Sequence, residues 1–282
     1  MEKLPLGLVL DLRNVVPYKT GSWRTLMPIN ITHTPPCNNA CPAGNDIRGF
    51  LRVLAEKKDY EQAWHILTRT NPFPAVCGRV CPHPCEGGCN RRDFDEPLAI
   101  NCAERAVGDY GLENNLQHKK LIDTRKEKVA VIGSGPAGLS CAFHLAKRGF
   151  RVKIYEAKSE PGGMMRYGIP SYRQPNYILK QEIDNILRLG VELECNVKVG
   201  VNIPFDQLRN QYDAVFLGPG AQNGVSIDIP GKDAENVFTG VEFLKQVNTG
   251  KWVELGNDVV VIGGGNTAMD CARVAKRLGA NV

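Results

Sequence analysis

The sequence predicts an α/β fold behind a smaller, α-helical N-terminal domain. Two copies of a strand, a glycine-rich turn and a helix predict the α/β part, one beginning at Lys128 and the other at Asp258. The helical part is predicted by cysteines between Cys37 and Cys102 that alternate with short amphipathic segments. With 282 residues, 43% of them hydrophobic, the chain can form about two domains with real cores.

The overall charge excludes some classes of function. A net charge of +5 at pH 7 is too mild to indicate nucleic-acid binding, although it suits an acidic protein partner. The apolar run Leu4–Leu10 ends at Asp11, which makes it too short to span a membrane, and it lacks the features of a signal peptide. We therefore expect a cytoplasmic protein with no membrane or nucleic-acid partner.

Prolines punctuate the first part of the chain. Pro5, Pro17, Pro28 and Pro35 follow one another too closely for long helices or strands to form between them. We therefore expect residues 1–35 to form an extended N-terminal arm.

Cysteines at four-residue intervals mark the next segment, and they are Cys37, Cys41, Cys77, Cys81, Cys85 and Cys89. Because no export signal is present, thiolate metal ligands are favoured over disulfides. Prolines directly after two of these cysteines favour an iron-sulfur cluster. A tetrahedral zinc site is the competing interpretation, and a role as an electron relay beside a dinucleotide fold favours iron.

The segments around these cysteines are predicted to be short helices. Apolar residues such as Ile47, Phe50 and Leu54 mark one helix, and a second is predicted at about Tyr60–Leu67. Such helices cannot build a large core by themselves, so a bound cluster would supply the missing cross-links. We therefore predict a helical iron-sulfur domain over residues 36–122.

The first strand-turn-helix motif has the spacing of a dinucleotide site. After the apolar strand Val129–Ile132, three glycines follow the pattern G-x-G-x-x-G. The first allows the tight turn, the second lets the backbone approach a pyrophosphate, and the third lets the helix pack closely on the strand. The strand Arg151–Tyr155 then ends at Glu156, where a carboxylate would accept hydrogen bonds from ribose hydroxyls. The expected cofactor-binding residues of this motif are Gly133, Ser134, Gly135, Pro136, Ala137, Gly138 and Glu156.

Three later segments extend this first unit. The glycine-rich loop of residues 161–170 places Gly163 and Arg166 beside the expected cofactor. A helix, Pro175–Leu189, and two strands, Val191–Val199 and Tyr212–Ala221, are predicted to follow. The second of these strands ends in glycines that would touch the cofactor or simply form a tight turn, Gly218 and Gly220.

The second motif repeats the first with the variant spacing G-x-G-x-x-A. It consists of a predicted strand, Asp258–Ile262, the glycine-rich turn and a helix to Leu278. Two such units in one chain favour two bound nucleotides, one a flavin and the other a nicotinamide. The expected binding residues of this motif are Gly263, Gly265, Asn266, Thr267 and Ala268.

These motifs together resemble the small-subunit family of glutamate synthase and the N-terminal half of dihydropyrimidine dehydrogenase. The resemblance covers about residues 36–282 and includes Cys-Pro-Ala-Gly-Asn-Asp-Ile, Val-Cys-Gly-Arg-Val-Cys-Pro and Gly-Gly-Gly-Asn-Thr-Ala-Met-Asp. It implies FAD at the first glycine motif, NAD(P)H at the second and iron-sulfur ligation by the N-terminal cysteines. Separately, the segment Tyr18–Arg24 is similar to one in the small subunits of 2-oxoacid:ferredoxin oxidoreductases.

The resemblance also implies which residues bind iron. Family members commonly carry two further cysteines ahead of Cys37, where Ile29 and Thr32 stand here. The chain is therefore expected to hold one [4Fe-4S] cluster or two, with Cys77 or Cys102 as a replacement ligand. The implied ligands are Cys37, Cys41, Cys77, Cys81, Cys85, Cys89 and Glu104.

The expected domain order is an arm at 1–35, the iron-sulfur domain at 36–122, an incomplete FAD domain at 123–235 and the start of a truncated NAD(P) domain at 236–282.

We expect an electron-transfer subunit in which hydride passes between NAD(P)H and FAD and single electrons pass to the cluster. The expected partners are a glutamate synthase large subunit, subunits of a 2-oxoacid oxidoreductase, or ferredoxin. The alternative is a non-catalytic iron-sulfur adaptor. Hydride transfer needs no acid-base residue, and none is predicted.

Overall fold

A computed structural model describes residues 34–120 and 125–282. The predicted extended arm lies almost entirely outside these ranges, and so does the Tyr18–Arg24 segment. Among the described residues, no helix is both long and apolar enough to cross a membrane.

The first described part is helical. Its helices are α1 (Pro36–Ala40), α2 (Ile47–Lys57), α3 (Tyr60–Leu67), α4 (Pro74–Val80), α5 (Pro84–Gly87) and α6 (Ile100–Glu113), with a 3₁₀ turn at Asn90–Asp93. Aspartates begin two of them, because Asp46 accepts a hydrogen bond from the Gly49 N–H at 3.0 Å and Asp59 accepts one from the Gln62 N–H at 2.8 Å. Helix α3 has the predicted bounds.

A parallel sheet of four strands forms the second part. The strands are β1 (Lys128–Ile132), β2 (Arg151–Tyr155), β3 (Glu192–Glu194) and β4 (Ala214–Leu217), and their order across the sheet is β3-β2-β1-β4. The register pairs Ile132 with both Tyr155 and Leu217, so the carboxyl ends of β1, β2 and β4 meet at one edge. Ligands of open α/β sheets bind at this edge.

Helices connect and cover these strands. They are α7 (Pro136–Lys147), α8 (Met164–Tyr167), α9 (Asn176–Leu187) and α10 (Phe205–Gln211), followed by α11 (Gly240–Asn248) and α12 (Asn266–Arg277). Helix α7 joins β1 to β2 as the first motif predicts. Helix α9 occupies most of the predicted Pro175–Leu189 segment.

Three predicted strands differ from the structure. The prediction of a strand at Asp258–Ile262 is wrong, because this segment forms only an isolated parallel bridge between Asp258 and Asn281. A strand needs a ladder of backbone hydrogen bonds, and in the described chain this segment finds only Asn281 to pair with. The predicted strands Val191–Val199 and Tyr212–Ala221 shorten to β3 and β4 for the same reason.

The helical part and the sheet share one hydrophobic core. Phe73, Ala75 and Val76 of the α4 region are buried together with residues of β1 and α7. A buried carboxylate strengthens this contact, because Glu182 of α9 accepts hydrogen bonds from the N–H groups of Ala75 at 2.7 Å and Val76 at 3.0 Å. Burial raises the pKa of Glu182. The domain boundaries at residues 122 and 235 stay a prediction.

His118 lies at a second contact between the helical part and the sheet part. The His118 ring stacks on Trp64 of α3, with 5.0 Å between ring centroids, and meets the edge of Phe143 of α7 at 4.7 Å. Burial, with a smaller contribution from the nearby Lys147 charge, lowers the pKa of His118 to about 3. The ring is therefore neutral at physiological pH.

His118 is expected to make the fold sensitive to mild acid. In the unfolded chain the imidazole takes up a proton below its ordinary pKa of 6.5, whereas in the folded protein it does not until about pH 3. Its contribution to stability is therefore lost as the pH falls, by about 2 kcal/mol between pH 7 and pH 5. Denaturant unfolding at pH 7 and pH 5 measures this effect. Between these pH values, the free energy of unfolding of His118→Phe should fall by about 2 kcal/mol less than that of the wild type.

A control is Leu98→Ala, because Leu98 is an exposed side chain of the helical part without a titratable group. This variant should keep the pH dependence of the wild type. Equal pH dependence in His118→Phe and the wild type would contradict the assignment of a neutral, buried ring.

Candidate cofactor sites

The glycine-rich turn after β1 is packed too tightly for side chains at two positions. Gly133 has a φ of +94°, and a Cβ there would lie 2.3 Å from the carbonyl oxygen of Gly218. A Cβ on Gly138 would lie 1.8 Å from the carbonyl oxygen of Gly133. Both glycines are therefore required by the packing of the chain on itself.

Gly135 is different, because the protein leaves space where its side chain would be. Its φ of −72° suits any residue, and the nearest atom to a Cβ there is the Cα of Gly163 at 3.9 Å. No side chain caps helix α7, which begins at the next residue, so its first N–H groups remain available. The open position and the uncapped helix fit the close approach of a pyrophosphate, which is the group that FAD would place here.

Glu156 lies directly beside this turn. One carboxylate oxygen accepts hydrogen bonds from the N–H of Ser134 at 2.8 Å and from the Ser134 hydroxyl, and the other accepts from the N–H of Lys158 at 2.9 Å. Ser134 therefore orients the carboxylate that is predicted to bind the ribose. A carboxylate has about four acceptor positions, so further hydrogen bonds to hydroxyl groups are possible.

The loop after Glu156 folds over the same turn. A Cβ on Gly163 would lie 2.6 Å from the Cα of Gly135, so the two backbones are in direct contact. The Arg166 side chain turns back on its own loop, where its Nε donates to the carbonyl of Pro161 at 2.7 Å and its guanidinium pairs with Glu160 at 3.4 Å. The structure thus brings Gly163 to the predicted site and shows Arg166 bound to protein groups.

The two glycines after β4 differ from each other. Gly218 packs against Gly133, and its N–H donates to the carbonyl of Ile132 at 2.8 Å. Gly220 is exposed, with a φ of +68° typical of a tight turn. Pro136 and Ala137 form the first turn of α7 at the same edge. A role in binding FAD stays a prediction for all of these residues.

The second glycine motif has the same uncapped helix start. Gly263 has a φ of +129°, and a Cβ there would lie 3.3 Å from the Cβ of Ala268. A Cβ on Gly265 would meet no atom within 4 Å, and no side chain caps α12. Asn266 and Thr267 are exposed at the beginning of this helix. This arrangement fits a second dinucleotide phosphate, and the NAD(P)H assignment of the individual residues stays a prediction.

The cysteines fall into two groups. Burial, with smaller contributions from the nearby Cys41, Glu104 and Cys81, raises the pKa of Cys85 to about 11. The pKa of Cys81 is raised by burial and, to a smaller extent, by Glu104, Cys41 and Glu86. Because charges shift a pKa appreciably only at short range, Cys41, Cys81, Cys85 and Glu104 lie near one another, and we call these four side chains the donor group. Cys77 also lies near Cys81 and Glu104. For Cys37 burial is again the main cause of a raised pKa, and Cys89 is the neighbouring thiol.

Glu104 is the buried carboxylate of the first group. Burial raises its pKa to about 7, and the Asn71 side-chain amide donates a hydrogen bond to it at 2.8 Å. The Nε2 of His83 lies 3.4 Å from its other oxygen. The sequence did not assign roles to Asn71 or His83, because their contact with Glu104 depends on tertiary folding.

Cys77 differs from three other predicted ligands in the hydrophobic core that it contacts, although Cys81 and Glu104 are near enough to raise its pKa. It packs against the core of the sheet, whereas Cys37, Cys41 and Cys85 pack with the core of the helical part. Its Sγ donates to the side-chain oxygen of Asn71 at 3.6 Å, and burial raises its pKa well above the ordinary value. Its predicted role as a ligand remains untested.

The described thiols are unpaired and do not form a preassembled site for a single ion. All ten cysteines are free, so none forms a disulfide. Within residues 34–120 and 125–282, no three His, Cys, Asp or Glu side chains come together as a site for a single metal ion such as zinc. In a [4Fe-4S] cluster, protein ligands surround a larger group instead of one ion. The assignment of Cys41, Cys81, Cys85 and Glu104 as the four ligands of such a cluster stays a prediction, which their proximity favours.

Comparison with known proteins supports both the helical iron-sulfur part and the α/β part of the chain. Residues 127–282 match the family model described as pyridine nucleotide-disulphide oxidoreductase. Residues 30–116 match the model of dihydropyrimidine dehydrogenase domain II, 4Fe-4S cluster. The expected [4Fe-4S], FAD and NAD(P)H cofactors and the resemblance to dihydropyrimidine dehydrogenase are thereby confirmed.

Curated relatives include subunits of several redox enzymes. The β subunit of an NADPH-Fe(3+) oxidoreductase from Geobacter sulfurreducens is 40% identical over 254 residues, which cover 88% of this chain and 38% of the relative. The β subunit of an NADP(+)-dependent formate dehydrogenase from Moorella thermoacetica is 40% identical over 272 residues, with the same two coverages. An NAD-dependent dihydropyrimidine dehydrogenase subunit from Salmonella typhimurium is 35% identical over 252 residues, covering 88% of this chain and 60% of the relative.

This chain therefore spans well under half the length of the first two relatives. The first family model nevertheless matches more than half of the chain itself, and the glycine motifs that define its nucleotide sites lie within the matched residues. The chain belongs to the pyridine nucleotide-disulphide oxidoreductase family, with a 4Fe-4S domain of the dihydropyrimidine dehydrogenase type in front of it.

Proposed function

We propose that this chain is an electron-transfer subunit that connects NAD(P)H, FAD and a [4Fe-4S] cluster to a partner oxidoreductase. The observation that carries the proposal is the shared core of α4 and the sheet. Helix α4 leads directly to Cys81, and its residues Ala75 and Val76 pack with Val131 and Leu139 of the first dinucleotide motif. A close-packed core holds the two cofactor regions at a constant separation, which electron transfer between them requires.

The residues of this chain bind and orient the cofactors. FAD, when bound, accepts a hydride and gives up its electrons one at a time. The space at Gly135 and the free N–H groups of α7 would receive the pyrophosphate, while Ser134 holds Glu156 toward the ribose. The partly buried donor group of Cys41, Cys81, Cys85 and Glu104 would hold the cluster.

The partner is proposed to be another subunit of a redox complex. Two of the relatives are named as β subunits, one of an Fe(3+) oxidoreductase and one of a formate dehydrogenase. A glutamate synthase large subunit would fit as a partner that accepts electrons, and a 2-oxoacid oxidoreductase as a partner that donates them. Relatives are named for both NADPH and NAD, so each nucleotide is included in the test below.

The alternative is an iron-sulfur adaptor that docks partners without oxidising a nucleotide. One observation favours it: the match of residues 30–116 to a 4Fe-4S family model is all that an adaptor would need. The well-formed first motif opposes it, because the space at Gly135 has no structural use in the absence of a ligand.

Anaerobic purification of the full chain, followed by titration with NADPH or NADH, distinguishes these functions. The proposed subunit should contain iron and flavin, and the nucleotide should bleach the flavin absorption at about 450 nm. Iron without flavin would support the adaptor. Zinc alone, or neither iron nor flavin, would contradict both functions.

A further inference from the structure

We propose that Arg173 and Asp270 form an ion pair that positions the second nucleotide motif against the flavin-binding loop for hydride transfer. This inference rests on the proposed function above. The two residues are positioning residues, because they act on the placement of α12 and not on the reacting atoms.

The ion pair is close and largely buried. The Nη1 of Arg173 lies 2.6 Å from a carboxylate oxygen of Asp270, and the Tyr172 hydroxyl donates to the other oxygen at 3.4 Å. Asp270 is 5% exposed, although it is a charged residue on α12 shortly after Ala268. A buried carboxylate that loses its cation is strongly unfavourable, so this contact defines where the helix can lie.

A single segment touches both glycine motifs. Gly163, near its beginning, lies against Gly135 of the first motif, and Arg173, near its end, reaches Asp270 of the second. Between these points the side-chain amide of Asn248 on α11 donates to the carbonyl of Ile169 at 3.2 Å. Residues 163–173 therefore connect the loop of one nucleotide site to the helix of the other. We call these residues the connecting segment.

Among the described residues, the buried apolar clusters on the two sides of this connection are separate. The buried residues of α11 and α12, including Phe243, Leu244 and Val274, form a cluster of their own. The core around Val131 of β1 is a separate cluster. Polar contacts to the connecting segment therefore contribute much of what holds the second motif in place, and the ion pair is the most buried of them.

Hydride transfer depends steeply on this placement. A displacement of about 1 Å between donor and acceptor can cost on the order of 100-fold in rate. Loss of the ion pair should therefore slow hydride transfer while leaving each cofactor site intact. The pair is expected to affect the rate of flavin reduction more than the affinity for the nucleotide.

Stopped-flow reduction of the flavin-loaded chain tests this role. Arg173→Gln and Asp270→Asn should each lower the limiting rate of reduction by about 10- to 100-fold, with flavin and iron contents unchanged. Arg173→Lys keeps the charge and should retain most of the rate. The exchanged pair, Arg173→Asp with Asp270→Arg, should recover part of it. Lys232→Gln is the matched control, because it breaks an exposed ion pair with Asp228 elsewhere in the chain.

A second measurement does not depend on activity. Hydrogen exchange of the flavin-free protein should become faster in residues 263–277 of Arg173→Gln, while the cysteine helices exchange as in the wild type. Wild-type reduction rates in both single variants, together with unchanged exchange, would overturn the positioning role and leave the proposed function standing. A wild-type protein whose flavin neither nucleotide reduces would overturn the proposed function itself, and the positioning role with it.

Discussion

Replacing Gly135 with alanine is expected to yield a folded protein that binds FAD more weakly. The added Cβ meets no protein atom closer than 3.9 Å, and the backbone conformation there suits alanine, so the fold should tolerate it. The methyl group would instead occupy the space above the start of α7, where a pyrophosphate must approach closely. We expect flavin affinity to fall at least about tenfold, a change of 1.4 kcal/mol or more, with a thermal midpoint of the flavin-free protein close to the wild type.

Gly138→Ala provides the contrast. Its Cβ would lie 1.8 Å from the carbonyl oxygen of Gly133, and backbone cannot move aside as a flexible side chain can. This variant should lose both flavin and stability, with a destabilisation of about 3 kcal/mol. Flavin content by absorption and thermal unfolding of the flavin-free proteins separate the two effects. A Gly135→Ala protein that binds flavin with wild-type affinity would show that the pyrophosphate lies elsewhere.

Replacing Cys81 with serine is expected to remove a cluster. Cys81 belongs to the donor group that also contains Cys41, Cys85 and Glu104, and a hydroxyl is a poor substitute for a thiolate as an iron ligand. Iron and sulfide should fall by the content of one cluster, with loss of its electron paramagnetic resonance signal. Cys141→Ser is the control, because Cys141 lies in α7 outside both cysteine groups, and its iron content should equal that of the wild type.

The same assay counts the clusters. If Cys81→Ser removes all the iron, the chain holds one cluster. If it removes half, and Cys37→Ser removes the other half, the chain holds two, because Cys37 and Cys89 form the second group. Full iron content in Cys81→Ser would contradict the donor group described here.

Local features of the site could be predicted from the sequence. The spacing of Gly133, Gly135 and Gly138 predicts the turn between β1 and α7. The backbone at these positions turns or packs too closely for side chains, or leaves space for a phosphate, and only glycine permits this. Strand β2 has the predicted bounds Arg151–Tyr155, because its apolar run is bounded by clear turn signals. Cysteine spacing likewise predicted an iron-sulfur domain, which the family model confirms.

Only the tertiary structure decided how these parts meet. The contact of Glu182 with Ala75, the pairing of Arg173 with Asp270 and the hydrogen bond from Asn71 to Glu104 join residues far apart in the chain. The wrong prediction of a strand at Asp258–Ile262 has the same cause. Its apolar pattern permits a strand, but strand pairing depends on a neighbour far away in the chain. The sequence by itself determined the local backbone, because turn and helix preferences act over a few residues. The long-range contacts depend on how the whole chain packs, which no short pattern records.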